Sequence, residues 1–70
     1  MTIRDEVLKC VDAHWQNYRD VFNKHGMGAP EATRAMLGEL SREQILERRS
    51  VPVPRYPALI ITEYRRRIAP

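Results

Sequence analysis

The chain has 70 residues, of which 43% are hydrophobic and 30% are charged, and its formal net charge is +3. This length allows one small domain, and the composition is that of a globular chain rather than a disordered one. The single cysteine, Cys10, excludes an intrachain disulfide. No apolar run approaches the roughly 20 residues that span a bilayer. We therefore expect a cytoplasmic protein with no secretion signal and no membrane segment.

The positive charge is concentrated at the C-terminal end. Residues 1–25 and 26–50 each carry four basic and four acidic side chains, whereas residues 51–70 carry Arg55 and Arg65–Arg67 against Glu63 alone. This distribution predicts a single helical domain made of a balanced helical body over residues 1–50, a Pro-rich connector over 51–57 and a basic segment over 58–70.

The N-terminal third shows the strongest periodic pattern. Apolar residues recur at every third or fourth position from Ile3 to Phe22, which predicts one long helix over residues 2–25. Thr2 is suited to cap its start, and Gly26 is suited to end it in a left-handed conformation. Such a helix is roughly 35 Å long, which is more than the remaining residues cover comfortably.

Two shorter helices are expected in the middle of the chain. Pro30 favours the first turn of a helix, whose apolar face consists of Ala32, Ala35, Met36 and Leu40. The run Ser41–Gln44 has the form of a capping box and predicts a third helix that ends near Arg49. The pattern leaves open whether these are two helices or one bent helix.

The C-terminal segment begins with three prolines within residues 52–57, which exclude a helix or a central strand there and favour an extended connector. Pro57 can begin a last helix with Ile60, Ile61, Tyr64 and Ile68 on one side. Residues 59–64 also fit an edge strand, but a helix is the prediction. The expected fold is all-α, with one long N-terminal helix, a short helical pair and a Pro-rich C-terminal segment that ends in a short helix.

Metal and catalytic sites are not expected. Cys10 and His14 stand four residues apart on one predicted helix face, with His25 further along, but a structural zinc needs four ligands and there is no second cysteine. No acid that would orient a histidine and no oxyanion loop is suggested near them, and the chain has no phosphate-binding loop or dinucleotide fingerprint. We therefore expect no cofactor, no metal site, no catalytic residue and no enzyme activity.

Residues 30–49 loosely resemble a helix-turn-helix, with an apolar helix, a turn at Gly38 and a second helix opened by Ser41. The turn is one residue longer than usual, and Glu43 and Glu47 would face phosphate. An ordinary helical hairpin is the alternative interpretation. The candidate contacts to nucleic acid or to an acidic partner are Arg42, Arg48, Arg49, Arg65, Arg66 and Arg67, although a basic chain end is often simply solvated.

The apolar stripe of the first helix leads to the functional hypotheses. Val11, Trp15, Tyr18 and Phe22 are the predicted partner or dimer interface, because the shorter helices offer them little apolar cover. We expect a homodimer and, as first hypothesis, a small regulatory or adaptor protein that binds a protein partner through helical surfaces. The alternative is a DNA-binding transcriptional regulator that uses residues 30–49, and an accessory subunit of an enzyme complex comes third.

Overall fold

The computed structural model of the protein describes residues 2–67. Within that part the helices are α1 (Ile3–Cys10), α2 (Tyr18–His25) and α3 (Pro30–Arg42), and the strands are β1 (Leu46–Val53) and β2 (Tyr56–Arg66). The two strands pair antiparallel. The fold is therefore α+β, and the predicted all-α fold is wrong. None of the helices in residues 2–67 has the length and apolar character needed to cross a membrane.

The predicted long N-terminal helix is in fact two helices separated by an irregular segment. Thr2 caps α1 by accepting a hydrogen bond from the N–H of Asp5 at 3.2 Å, so the predicted start is confirmed. After α1 ends at Cys10, the side chain of Asn17 accepts from the N–H of Asp20 at 2.9 Å. The Asp20 carboxylate accepts in return from the N–H of Asn17 at 3.3 Å. This reciprocal capping box starts α2 at a point where the apolar period continues unbroken, so periodicity alone does not reveal the break.

The predicted third helix, beginning at Ser41, is also wrong. Gly26 ends α2 with a φ of 61° and Pro30 begins α3, as expected. However, α3 runs on as one helix past Ser41, whose hydroxyl donates to the carbonyl of Leu37 at 2.9 Å within the same helix. The chain then turns at Gln44, which has a left-handed φ of 64°.

The hairpin occupies the place of the predicted third helix, the connector and the last helix. Its register runs from Leu46 opposite Arg66 to Pro52 opposite Ile60, with an irregularity after Pro52 and a turn at residues 54–55. Pro52 is compatible with the strand because it stands at a position that does not hydrogen-bond to β2, so its missing N–H would have pointed away from the partner strand. Ile68, which the predicted last helix included, lies outside the described residues.

The three helices pack against the half of the hairpin that adjoins α3. The buried hydrophobic side chains are Val7, Val11, Val21, Leu37, Leu40, Leu46 and Tyr64. Gln16 adds a one-residue bridge to the outer edge of β2, where its N–H donates to the Tyr64 carbonyl at 2.9 Å and its carbonyl accepts from the Tyr64 N–H at 2.7 Å. The distal half of the hairpin, from about residue 51 to residue 61, extends beyond this core.

Candidate functional site

A groove of about 950 Å³ separates α3 from the hairpin. Its sides are formed by the exposed face of α3, the first turn of α2 and two sets of strand residues. The polar and aromatic ones are Arg48, Thr62 and Tyr64, and the apolar ones, towards the distal end of the hairpin, are Val53, Leu59, Ile60 and Ile61. Ala35 and Gly38 are the smallest side chains along α3 in this lining, and a Cβ at Gly38 would meet nothing within 4 Å. The helix backbone is therefore accessible along the middle of the groove.

The turn between α2 and α3 fixes the position of α3. The N–H of Met27 donates to Nδ1 of His25 at 3.0 Å. With Nδ1 accepting, the neutral ring carries its hydrogen on Nε2, which lies 2.9 Å from the hydroxyl oxygen of Thr33 and donates to it. Since Thr33 is fully buried on α3, this ring joins the end of one helix to the start of the next.

Because of the helical periodicity of α3, some of its side chains lie in the core and others line the groove. Thr33, Leu37 and Leu40 are buried. Arg34 and Arg42, eight positions apart, lie on the groove side and are exposed. Because eight residues make a little more than two helical turns, the two guanidinium groups are presented by the same face of the helix.

The groove contains more basic than acidic side chains. The charged residues in its lining are Arg19, Arg34, Arg42 and Arg48, with Glu31 and Glu39. Among residues 2–67, none of these four arginines has a carboxylate within salt-bridge distance. The guanidinium of Arg34 instead lies 5.9 Å from the ring centroid of Tyr18, a cation–π contact that leaves its N–H donors open to a ligand.

The opposite face of the hairpin shows the reverse arrangement, in which arginines are already paired. Arg49 forms a salt bridge with Glu63, the residue opposite it on β2, at 2.7 Å, and Arg65 forms one with Glu47 at 3.3 Å. Both guanidinium groups also lie over the ring of Trp15, at 4.3 and 4.4 Å from its centroid. These arginines stabilise the hairpin and its attachment to the irregular segment.

The predicted arginine contacts therefore separate into different environments. Arg42 and Arg48 line the groove, whereas Arg49 and Arg65 belong to the Trp15 face. The Arg66 guanidinium donates to the carbonyl of Val11 at 2.7 Å and to that of Leu8, which ties β2 to the end of α1. Arg67 donates to the Gln44 side chain at 3.1 Å. The structure thus brings two of the six arginines to the groove.

The four residues of the predicted partner interface do not share one surface. Val11 is buried in the core, and Trp15 lies under the two hairpin arginines. Tyr18 lines the groove, while Phe22 packs edge-on against His25 with ring centroids 5.6 Å apart. The prediction of one long helix that would align these four residues is wrong. The homodimer itself stays a prediction.

Two groove residues, Arg19 and Arg34, were missed by the sequence analysis. A signal for Arg34 was present, since Arg34, Gly38 and Arg42 recur every four residues on the side of α3 away from the buried Thr33 and Leu40. Arg19 had no comparable signal, because its position depends on α2 starting at residue 18 rather than continuing from α1.

The residues considered for a metal site lie apart from the groove. No group of three or more His, Cys, Asp or Glu side chains in residues 2–67 is arranged to hold a metal ion. His14 is instead part of a local turn, in which its backbone N–H donates to the Asp12 carboxylate at 2.7 Å and lowers the pKa of that carboxyl. Cys10 is half-buried at the end of α1.

Comparison with protein-family models, curated proteins and solved structures gave no match. The chemistry of the groove must therefore be inferred from its geometry. Planar guanidinium groups with unshared donors bind phosphate and carboxylate oxygens, and an accessible helix face between them can approach a large ligand closely. The groove is suited to a polyanion.

Proposed function

We propose that the protein binds duplex DNA through α3 and the groove beside it. The observation that carries this proposal is the contrast between the two sides of the hairpin. The arginines of the Trp15 face are neutralised by glutamates, while the four arginines that line the groove have no carboxylate partner in the described part of the chain. Guanidinium groups that lie along one channel without carboxylate partners provide positive charge that can bind a phosphate backbone.

The helices support the same function. α2 and α3 are joined by a four-residue turn with Gly26 and Gly28, and α3 exposes one face along its length, as in a helix-turn-helix whose second helix enters the major groove. This pair differs from the predicted one over residues 30–49, which the structure replaces with α3 and β1. Together with the hairpin and the Gln16 bridge, the order of elements is that of a winged helix-turn-helix domain, an analogy of fold only.

In this proposal, α3 lies in the major groove and the channel beside it holds one DNA backbone. Arg34, in the first half of α3, is placed to contact a base edge, where guanine offers two acceptors to a guanidinium. Arg42 and Arg48, on opposite walls of the channel, contact phosphates and fix the orientation of the protein. Arg55, exposed in the hairpin turn, reaches a neighbouring part of the backbone.

The direct test is a titration of fluorescently labelled duplex DNA at several salt concentrations, read by fluorescence anisotropy. The three phosphate contacts, from Arg42, Arg48 and Arg55, predict a slope of about −3 for the logarithm of the association constant against the logarithm of salt concentration. Arg42→Ala should bring the slope closer to zero by about 1. Absence of binding at low salt, or binding indifferent to salt, would contradict the proposal.

Binding of a protein partner, the first hypothesis from sequence, is the second candidate function. It is supported by the exposed apolar side chains at the distal end of the hairpin, where Tyr56, Leu59 and Ile60 are 58–66% exposed. Affinity capture from the native cell with the wild type and with Leu59→Ser tests it. A partner retained equally by both would contradict a role for the hairpin.

A further inference from the structure

The wall of the groove that the hairpin forms changes character along its length. Arg48 lies near the base of the hairpin, opposite Tyr64, and the lining continues along β2 through Thr62 to Ile60. Tyr64, Thr62 and Ile60 alternate along the strand and therefore share one face. At the distal end the lining is apolar and consists of Val53, Leu59, Ile60 and Ile61. The groove thus has a basic part and an apolar part.

The two parts require different groups from a ligand. In the apolar part, Leu59 and Ile60 are 58% and 66% exposed. A phosphate backbone offers them no favourable contact, because its charged oxygens lose hydration beside aliphatic side chains without gaining a hydrogen bond. In the basic part, the four arginines have no carboxylate within salt-bridge distance in residues 2–67. A ligand that uses the whole groove therefore needs anionic groups along one side and aliphatic groups along another.

The spacing of two arginines indicates how long such a ligand is. Arg34 and Arg42 are eight residues apart on α3, which separates their Cα atoms by about 12 Å along the helix axis. A fatty acid has a single carboxylate and can pair with only one of them. A helix that carries acidic residues about seven or eight positions apart presents two carboxylates at nearly the same separation. Charge complementarity therefore favours an acidic helix as the occupant.

The shape of the groove also fits a helix better than a strand. Its volume of about 950 Å³ corresponds to about two turns of a helix that is roughly 10 Å across. A strand that extends the sheet needs a regular edge. The register jumps from Pro52 opposite Ile60 to Val53 opposite Tyr56, so the distal part of β2 does not offer one. A helix forms its own backbone hydrogen bonds and needs only side-chain contacts.

We propose that the groove is the docking site for an amphipathic helix of a protein partner, with carboxylates along one side and aliphatic residues along the adjoining side. The carboxylates accept hydrogen bonds from Arg34 and Arg42, and the aliphatic residues cover Leu59 and Ile60. This specifies the partner chemistry of the second candidate function. Because the helix and duplex DNA occupy the same groove, the partner releases the protein from DNA, and this last step alone rests on the proposed function.

A designed peptide tests the docking in the absence of DNA. The probe is a fluorescently labelled peptide of about 18 residues, long enough to form a helix, with leucines at every third or fourth position and glutamates on the adjoining side. Fluorescence anisotropy should show saturable binding. A control peptide with glutamines in place of the glutamates should bind at least about tenfold more weakly, because the ion pairs to the arginines are lost.

A second control peptide has the same composition as the acidic probe, but its leucines are distributed around the helix. It should not bind, because it has no continuous apolar side to cover the distal end of the groove. No binding of the acidic probe up to about 1 mM would overturn the proposal. Equal binding of all three peptides would overturn it as well.

Two variants of the full chain locate the peptide on the protein. Ile60→Ser removes an apolar contact and should weaken binding by at least about tenfold. Tyr56→Ser removes a side chain that is similarly exposed, at 62%, but lies outside the groove lining, so this matched control should bind like the wild type. In NMR spectra of labelled protein, the peptide should shift the amide signals of Gly38 and Thr62. Equal losses for the two variants, or shifts confined to another surface, would contradict docking in the groove.

A competition titration separates this inference from the proposed function. Unlabelled acidic peptide should displace labelled duplex from the wild type at low salt. Ile60→Ser should bind the duplex like the wild type and resist displacement. A ternary complex of protein, peptide and duplex would refute the mutual exclusion. If no duplex binds, the proposed function fails while the peptide titration still decides the docking, and if the duplex binds but the peptide does not, only the docking fails.

Discussion

Replacing Gly38 by alanine should stabilise the protein, because Gly38 lies inside α3 rather than at a break between two helices. A glycine in a helix interior costs about 0.8–1.0 kcal/mol relative to alanine. The added Cβ would meet no atom within 4 Å, so no steric term offsets this gain. For a domain of this size, 1 kcal/mol corresponds to a rise in melting temperature of about 4–8 °C.

The assay is urea unfolding followed by circular dichroism at the helix band, with Gly28→Ala as a matched control. Gly28 also has open space around its Cβ position, but its φ is 69°, so alanine there should destabilise the protein by about 1 kcal/mol. The two substitutions add the same methyl group and should have opposite signs. A neutral or destabilising effect of Gly38→Ala would refute a continuous α3.

Three other substitutions test the core, the helix junction and the surface charges. Leu37→Ala, at a fully buried position, should lower the free energy of unfolding by about 2–5 kcal/mol, which is comparable to the whole stability expected of a 70-residue domain. A folded variant with an unchanged urea midpoint would contradict the placement of Leu37 in the core. His25→Ala leaves the buried hydroxyl of Thr33 without its partner and should lower the free energy of unfolding by about 1–3 kcal/mol, measured in the same experiment. A loss as small as that of a surface substitution would argue against the His25–Thr33 bridge between α2 and α3. The Arg4 guanidinium, which donates two hydrogen bonds to Glu43, lowers the pKa of that carboxyl. The contribution of this ion pair to stability is therefore present above pH 4.5 and lost as the pH falls further, so Glu43→Gln should flatten the acid dependence of unfolding. Equal acid profiles for Glu43→Gln and the wild type would refute this.

Several helix ends were predicted correctly from local signals in the sequence, but the number of helices was not. Thr2, Gly26 and Pro30 occupy the cap and first-turn positions that their chemistry favours. The capping box of Asn17 and Asp20 is also a local signal. It was overlooked because the apolar residues of α1 and α2 follow one continuous helical spacing. Stronger weight on capping residues within a long stripe would have separated the helices.

The hairpin was missed for a different reason. Pairing of Arg49 with Glu63, or of Glu47 with Arg65, depends on contacts between residues 14 and 18 positions apart, which a helical window does not sample. In the turn between α3 and β1, Gln44 has a left-handed conformation. A glycine at this position would have indicated the end of the helix in the sequence. Because the groove needs both α3 and the hairpin, the candidate site was not predictable from the sequence as one site, although two of its arginines, Arg42 and Arg48, were named.

The central claim is tested most directly by comparing Arg48→Ala with Arg49→Ala in duplex binding. Both residues lie on β1, and each substitution removes one positive charge, but Arg48 lines the groove and Arg49 is paired with Glu63 on the other face. Anisotropy titrations at fixed low salt should show about a tenfold loss of affinity for Arg48→Ala, as expected for one charged hydrogen bond to phosphate. Arg49→Ala should bind like the wild type. Equal losses for the two variants would mean that only the net charge matters and would contradict DNA recognition by the groove.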